Sequence, residues 1–269
     1  AVYRTLHNTT RTRDANVEAL SYWSDNAAGY SWWSMQNNNI DMFGPIGSLY
    51  LRLHQEYARA GIALGAWESD NTFLRSAAVD ASGKTHGGWC FEDWTAWNTT
   101  LYPHGAAGWV AAMRAVQNSS IQSPMQFSYY LYYHCHDNVF TRNASSPYRD
   151  AFIDVGVWKP LNSGRGDQSV ALVKPGVSHQ LYTELMAEAR DAWGMTMLFK
   201  DDLFDQGARL VEALPETFGA KASWLSGLTS ALGDLGLSMQ ACMTAPPEIM
   251  MTAEGMRAVS NARVSGDGG

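Results

Sequence analysis

The chain has 269 residues and a mass of 29.6 kDa, a length that suits two average domains or a single α/β barrel. Apolar residues make up 46% and charged residues 17%, which excludes disordered and collagen-like chains, and no apolar run is long enough to span a membrane. The net charge of −7 argues against a nucleic-acid-binding protein, which normally presents a basic face. The 11 Trp and 12 Tyr residues suit either sugar binding or a large core.

Strand-like and helix-like segments alternate along the chain. Apolar runs predict strands at 19–23, 62–67, 125–133, 195–199, 237–243 and 259–264. Helical spacing predicts helices at 46–60, 106–116, 178–193, 224–235 and 247–256. Ser178 is the expected N-cap of the third helix, and glycines are expected to end three of the helices, at Gly61, Gly194 and Gly236. The long loop after the second strand and residues 135–175 are expected to be irregular.

A strand followed by a helix, repeated about six times with largely apolar strands, indicates parallel βα units. No glycine-rich phosphate loop follows any strand, so a barrel is favoured over a doubly wound nucleotide-binding sheet. The sequence therefore predicts an α/β fold, a TIM-type (β/α)8 barrel of which about the first six βα units are present. We expect residues 1–269 to form one catalytic barrel domain truncated at its C-terminus. Residues 1–15 have a second interpretation, as the tail of a preceding domain.

Polar residues lie within or just after the C-terminal part of each predicted strand, where a barrel places its functional groups. They are Asp25, Asp70, the segment His134–Asp137, Lys200 with Asp201 and Asp202, Gln240 with Cys242, and Arg263 with Ser265 and Asp267. Several carboxylates on one rim suit glycoside hydrolysis, in which one attacks the anomeric carbon and another protonates the leaving oxygen. The alternative for any single aspartate is a role in a turn or a helix cap.

Five segments at these strand ends resemble motifs of the α-galactosidase and raffinose-synthase-like glycosidases. Phe199-Lys200-Asp201-Asp202 resembles the Lys-x-Asp motif of the fourth strand, and Arg263-Val264-Ser265-Gly266-Asp267 resembles the Arg-x-Ser-x-Asp motif of the sixth. Three more segments are similar to the raffinose-synthase-like branch, at residues 22–26, 61–73 and 240–243. The resemblance covers about residues 15–269, with the motifs in the family's order.

The resemblance implies a retaining α-glycosidase that hydrolyses α-galactosides or transfers galactosyl groups, without a cofactor or a metal. By this resemblance Asp202 is the nucleophile, and Asp267 is the general acid that later activates water. Lys200 would contact sugar hydroxyls and keep Asp202 ionised through its positive charge. Asp70 would bind hydroxyls in the first subsite. Further candidate contacts to the carbohydrate substrate are Asp25, Arg263, His136 and Cys242. Arg263 has a second interpretation, in which it orients Asp267, and Asp25 has a second interpretation, in which it holds the first loop. The alternative function is a catalytically inactive sugar-binding or structural homologue.

Several local interpretations stay open. Strand alternation places Lys200 and Asp202 on one face and Asp201 on the other, which favours Asp202 as nucleophile. The segment His134-x-His136-Asp137 has one interpretation as a metal site, because residues two apart on a strand share a face and both imidazoles could reach one ion. The spacing fixes no third ligand, and sugar contact and plain structural roles are the alternatives. The tryptophans of the second loop suit a sugar-stacking wall or a small core, at Trp89, Trp94 and Trp97.

The cysteines and the N-glycosylation sequons give information about the cellular compartment of the protein. Three cysteines allow one disulfide, and whether Cys90 pairs with Cys135 is open. Four N-glycosylation sequons mildly favour a secretory route, with a secreted, lysosomal or vacuolar destination, at Asn8, Asn98, Asn118 and Asn143.

Overall fold

The computed structural model describes residues 20–23, 46–68, 74–76, 90–97, 104–119, 126–131, 133–158, 168–200, 203–243 and 258–262. Its elements in chain order are β1 (Leu20–Trp23), α1 (Ile46–Arg59), β2 (Leu64–Glu68), β3 (Leu74–Ser76), β4 (Cys90–Trp97), α2 (Gly105–Ser119), β5 (Gln126–Leu131), β6 (Tyr133–Cys135), α3 (Val139–Arg142), β7 (Phe152–Trp158), β8 (Gln168–Val173), a 3₁₀ turn (Pro175–Val177), α4 (Ser178–Trp193), β9 (Met197–Lys200), α5 (Leu203–Ala213), α6 (Ala220–Leu235), β10 (Ser238–Ala241) and β11 (Val259–Ala262). No described helix has the length and apolar character needed to cross a membrane.

The main sheet has six strands in the order β1-β2-β5-β9-β10-β11, and every neighbouring pair is parallel. Each of the six predicted strands corresponds to one of these strands, so the prediction of parallel βα units is confirmed. The strand order follows the chain order, as expected when each βα unit adds its strand beside the previous one. The C-terminal ends of all six strands therefore lie along one edge of the sheet.

Aromatic side chains pack α1 against the first two strands. The ring of Trp67 on β2 stacks on Tyr22 of β1, with 4.4 Å between centroids. Tyr50 of α1 meets the same indole at 4.9 Å. All three side chains are buried, so the packing of large aromatic surfaces stabilises this end of the sheet.

A second aromatic cluster joins β4 to α2 and α4. Trp97 is buried and lies 6.0 Å from the ring of Trp109 and 5.1 Å from that of Trp193. Trp97 is therefore a core residue, in agreement with the second of the two interpretations of the tryptophan cluster. Trp89 lies outside the described residues.

A second, five-stranded sheet, the accessory sheet, has the order β3-β4-β6-β8-β7. Its strands come from two connections of the main sheet: β3 and β4 lie between β2 and α2, and β6, β7 and β8 lie between β5 and α4. The two connections meet where β4 pairs in parallel with β6. A disulfide joins Cys90 of β4 to Cys135 of β6, with 4.8 Å between the Cα atoms, and this answers the open question of their pairing.

Three local expectations were wrong, and one helix was not predicted. The long loop expected after the second strand is not irregular throughout, because it contains β3 and β4. Residues 135–175 are not irregular throughout, because they contain β7 and β8; a bulge at Gly156, with φ of 90°, breaks the alternation that would have revealed β7. Helix α5 was not predicted, and Gly207 in its middle weakens the helical signal. Ser178 is not the N-cap: that position belongs to Val177, and the Ser178 hydroxyl donates to the carbonyl of Pro175. The predicted helix 247–256 lies outside the described residues.

We expect reduction of the Cys90–Cys135 disulfide to destabilise the protein. The bridge closes a loop with a sequence separation of 45 residues, and chain entropy alone predicts a contribution of about 4 kcal/mol. Thermal unfolding of the wild type should therefore shift to lower temperature with a thiol reductant. The double variant Cys90→Ser/Cys135→Ser is the control, since its melting temperature should be low and insensitive to the reductant. Equal melting temperatures for the reduced and oxidised wild type would contradict this expectation.

Two helical glycines should respond in opposite directions to alanine. A methyl group at Gly227 in α6 would meet the start of α4, 2.9 Å from both the backbone nitrogen of His179 and Cβ of Ser178, so the helices would have to separate. We expect Gly227→Ala to destabilise the protein by roughly 1–3 kcal/mol. A methyl group at Gly207 meets the flexible end of Lys221, and helix propensity favours alanine by about 1 kcal/mol. Denaturant unfolding of the two variants compares their free energies of unfolding. The expectation would be refuted if Gly207→Ala destabilised the protein and Gly227→Ala did not.

Candidate active site

The ends of β9 and β10 form the centre of the candidate site. Lys200 pairs with Ala241 on one side and with Leu131 of β5 on the other. The backbone N–H of Cys242 donates to the carbonyl of Lys200 at 2.9 Å, and its carbonyl accepts from the N–H of Leu203 at 3.2 Å. The backbone of Cys242 is thus hydrogen-bonded both to the last residue of β9 and to the first residue of α5. Lys200 and Leu203 are the described residues before and after the two predicted aspartates in the chain, and both bond to residue 242.

Lys200 is completely buried between β5, α5 and α6. Its ammonium group donates to Oε1 of Gln206 in α5 and to the carbonyl of Leu131 at 3.5 Å. It also lies 5.9 Å from the ring centroid of Trp224 in α6. A buried ammonium needs such partners because the loss of water costs several kcal/mol. These described contacts are with protein groups, and the contact of Lys200 with sugar hydroxyls stays a prediction.

His134 on β6 lies in the same interior region. Its ring meets Phe152 at 5.4 Å and Tyr182 at 6.3 Å, and it is completely buried. Burial lowers the pKa of His134 well below its ordinary value of 6.5, and the positive charge of Lys200 lowers it further. The imidazole is therefore neutral at physiological pH, so it adds no second positive charge beside Lys200.

A polar network links the accessory sheet to the first turns of α5. The Tyr133 hydroxyl donates to Oδ2 of Asp205 at 2.5 Å, and Nε of Arg209 donates to the same oxygen at 2.7 Å. The guanidinium also donates to the carbonyls of Val155 and Val157 on β7, each at 3.4 Å. The network holds α5 against β6 and β7, three residues after Asp202 in the chain.

The structure describes three of the eight predicted site residues. Lys200 and Cys242 come together through their backbones, and the Cys242 side chain is a buried thiol outside the disulfide. His136 lies away from them in contact with solvent, with Nδ1 3.6 Å from Oδ2 of Asp154 on β7. The remaining residues lie outside the described parts of the chain: Asp25, Asp70, Asp202, Arg263 and Asp267. Asp201 also lies outside them.

The shared face proposed for His134 and His136 is not observed. Strand β6 ends at Cys135, so the period-two alternation does not extend to residue 136. His134 is buried among aromatic rings, whereas His136 is half-exposed beside Asp154. Within the described ranges, no group of three or more His, Cys, Asp or Glu side chains is placed to hold a metal ion.

Sequence reasoning missed the residues that hold α5 in place. Asp205 and Arg209 have the i, i+4 spacing of a helical ion pair, and this signal is readable once a helix is assigned to residues 203–213. Gln206 lies on the buried side of the same helix. Tyr133 gives no local signal, because its partner is 72 residues away.

The chain is similar to solved glycoside hydrolase structures. Trehalose-6-phosphate hydrolase from Bacillus licheniformis matches with a TM-score of 0.51 and 12% identity, over 80% of this chain and 44% of that one. An α-amylase from Geobacillus thermoleovorans matches with a TM-score of 0.50 and 9% identity, over 82% and 45% of the two chains. No family model and no curated protein matches the chain.

An α-galactosidase from Lactobacillus brevis gives a TM-score of 0.48 at 14% identity, over 84% of this chain and 28% of that one; this score is too low to establish a shared fold. The chain spans less than half the length of these three solved structures. Together with the sheet order, the comparisons show a partial (β/α)8 barrel, the fold of glycoside hydrolases. At 9–12% identity, the likeness to the hydrolase and the amylase describes the fold alone.

The neutral state of His134 predicts a pH dependence of stability. Its pKa is lowered in the folded protein, so the unfolded chain binds the proton more readily below pH 6.5. The contribution of neutral His134 to the free energy of unfolding is fully present above pH 6.5. It is lost as the pH falls, by up to about 1.4 kcal/mol per pH unit. We expect His134→Gln to show a shallower loss of unfolding free energy between pH 6.5 and 5 than the wild type. Parallel curves in urea titrations would rule out this contribution.

Proposed function

We propose that the chain is the catalytic barrel of a retaining α-glycosidase with α-galactosidase-like specificity, which hydrolyses α-galactosides or transfers the galactosyl group. The observation that carries the proposal is the parallel register of β9 and β10, which places Lys200, the residue before the predicted aspartates in the chain, beside Ala241 at the C-terminal edge of the sheet. Enzymes with (β/α)8 barrels have their active sites at this edge. The glycoside hydrolase fold and the Lys-x-Asp motif support the same assignment.

In the proposed mechanism Asp202 and Asp267 act as a pair. The carboxylate of Asp202 attacks the anomeric carbon while the carboxylic acid of Asp267 protonates the departing glycosidic oxygen. The resulting glycosyl-enzyme ester is then cleaved by water or by an acceptor sugar, whose proton passes to Asp267. Asp267 follows β11, and β11 pairs with β10, so the two aspartates follow strands separated by one neighbour. A retaining reaction needs about 5–5.5 Å between the two carboxyl groups.

The other predicted residues have supporting roles in this proposal. Asp70 follows β2 and would bind hydroxyls of the first sugar. Asp25, Arg263, His136 and Cys242 are the further proposed substrate contacts. Lys200 would hold Asp202 ionised, since a nearby positive charge favours the carboxylate. The buried environment of Lys200 strengthens such a charge interaction relative to water.

We also propose that the protein enters an oxidising compartment of the secretory route. The Cys90–Cys135 disulfide supports this, because such bonds persist outside the reducing cytosol. Asn118 and Asn143, two of the four sequon asparagines, are exposed and so accessible to a glycan.

Substitution of neighbouring aspartates tests the function. In the full-length protein, we expect Asp202→Asn to lower kcat for a nitrophenyl α-galactoside by at least about 10³-fold, because the variant lacks the nucleophile. Asp201→Asn is the matched control, since it removes the same charge one residue away. It should keep activity within about tenfold. Circular dichroism melts of both variants establish that they fold.

Other outcomes would count against the proposal. Equal loss in both variants would contradict the assignment of Asp202 as nucleophile. A folded wild type that binds galactosides in calorimetry but turns over no α-galactoside or α-glucoside would favour the inactive sugar-binding homologue instead.

A further inference from the structure

The loop that follows α3 in the connection between β6 and β7 carries the sequon Asn143-Ala144-Ser145. All three residues of this sequon are described, and all three are exposed. Asn143 is the C-cap of α3 and has an extended backbone, with φ of −88° and ψ of 107°. The geometry of the sequon side chains can therefore be compared with what attachment of a glycan requires.

The side chain of Asn143 forms a turn with the hydroxyl residue of its own sequon. Its Oδ1 accepts from the Ser145 hydroxyl at 2.8 Å and from the Ser145 backbone N–H at 3.1 Å. This is an Asx turn, in which the side chain takes the place of a backbone carbonyl. Among the described residues Nδ2 of Asn143 has no hydrogen-bond partner, so this nitrogen is accessible from solvent.

The loop is attached to the body of the protein by other residues. Tyr148 is buried, its ring lies 5.7 Å from that of Phe140 in α3, and its hydroxyl donates to Glu184 of α4. The N–H of Ser146 donates to the carbonyl of Asn143 at 3.0 Å. A substituent on Nδ2 breaks none of these contacts, since the Asx turn uses Oδ1 alone. The folded loop thus accommodates a glycan without rearrangement.

The other three sequons offer no comparable observation. Asn8 and Asn98 lie outside the described residues. Asn118 is exposed in the last turn of α2, but the hydroxyl residue of its sequon, Ser120, lies outside them. The geometric argument therefore applies to Asn143.

We propose that Asn143 is an N-glycosylation site that carries an oligosaccharide in the mature protein. This inference rests on the secretory route proposed above. In the reaction Nδ2 forms a bond to the anomeric carbon of a sugar carried on a lipid diphosphate, the bond from that carbon to the diphosphate breaks, and Nδ2 loses one proton. The hydrogen bonds from Ser145 favour the loss of this proton, because they stabilise the negative charge that moves to Oδ1.

Matched serine substitutions in the full-length protein, secreted from a eukaryotic cell, test the proposal. Ser145→Ala removes the sequon hydroxyl, and Ser146→Ala removes a hydroxyl one residue later that is not part of the sequon. We expect at least about half of the wild-type chains to carry a glycan at Asn143, and at least about tenfold fewer chains in Ser145→Ala. Ser145→Thr and Ser146→Ala should keep the occupancy within about twofold of the wild type. Glycopeptide mass spectrometry measures the occupancy, and circular dichroism melts establish that the variants fold.

Release of the glycan tests the exposure of the site. A glycosidase that cleaves the bond to Nδ2 should remove the glycan from the folded protein as completely as from the denatured protein, because Asn143 and its neighbours are exposed. Release only after denaturation would contradict the outward position of the sequon and overturn the proposal.

The state of the cysteines separates failure of the glycan from failure of the secretory route. A secreted wild type with the Cys90–Cys135 bond and an unmodified Asn143 would overturn the glycan and leave the route in place. Equal occupancy in Ser145→Ala and the wild type would also overturn the proposal, because attachment would not depend on the sequon. Free thiols at Cys90 and Cys135 in the protein isolated from its own cells would overturn the secretory route and the glycan together.

Discussion

Hydrogen bonds between the end of β10 and the start of α5 are the constraint on which the candidate site depends. The last carbonyl of β9 and the first amides of α5 lack partners within their own elements, and a buried backbone group without a partner is costly. Cys242 and Met243 supply these partners through their backbones. Two successive βα units are therefore bonded to each other through the residues that come before and after Asp201 and Asp202 in the chain.

The accessory sheet adds a second set of contacts to α5. Its strands come from two separate connections, and the Cys90–Cys135 disulfide fixes those connections to each other. Tyr133 lies directly after β5 of the main sheet and binds Asp205 of α5. Because Arg209 extends the contact to β7, α5 cannot move without disturbing both sheets.

Charge in the interior is arranged to avoid repulsion. Lys200 and His134 interact electrostatically inside the protein, and two buried positive charges would oppose each other. The fold keeps the charge on Lys200, which has Gln206 and Leu131 as hydrogen-bond acceptors, and keeps His134 neutral. A single positive charge near the end of β9 is what an ionised nucleophile at position 202 needs, because it favours the carboxylate over its protonated form.

The main sheet was predictable because its signals are local. Each strand is a short apolar run, and the helices that cover the sheet repeat their apolar residues every three or four positions. The accessory sheet depends instead on contacts between distant segments and contains a bulge at Gly156, which hides the strand pattern of β7. Helix α5 was obscured by Gly207, although its Asp205–Arg209 pair has helical spacing.

The same distinction between local signals and distant contacts applies to the candidate site. The Lys-x-Asp and Gln-x-Cys-Met segments are visible as motifs because each lies within four residues, so sequence alone predicts Lys200 and Cys242 as site residues. The left-handed conformation of Met243 and its hydrogen bond to α5 give no such signal, because the bonded amide of Phe204 lies about 40 residues earlier in the chain. Motifs specify which groups a site contains, but the backbone between strands decides where those groups stand. A chemically complete set of residues therefore does not specify a working site until the turn that supports it is also fixed.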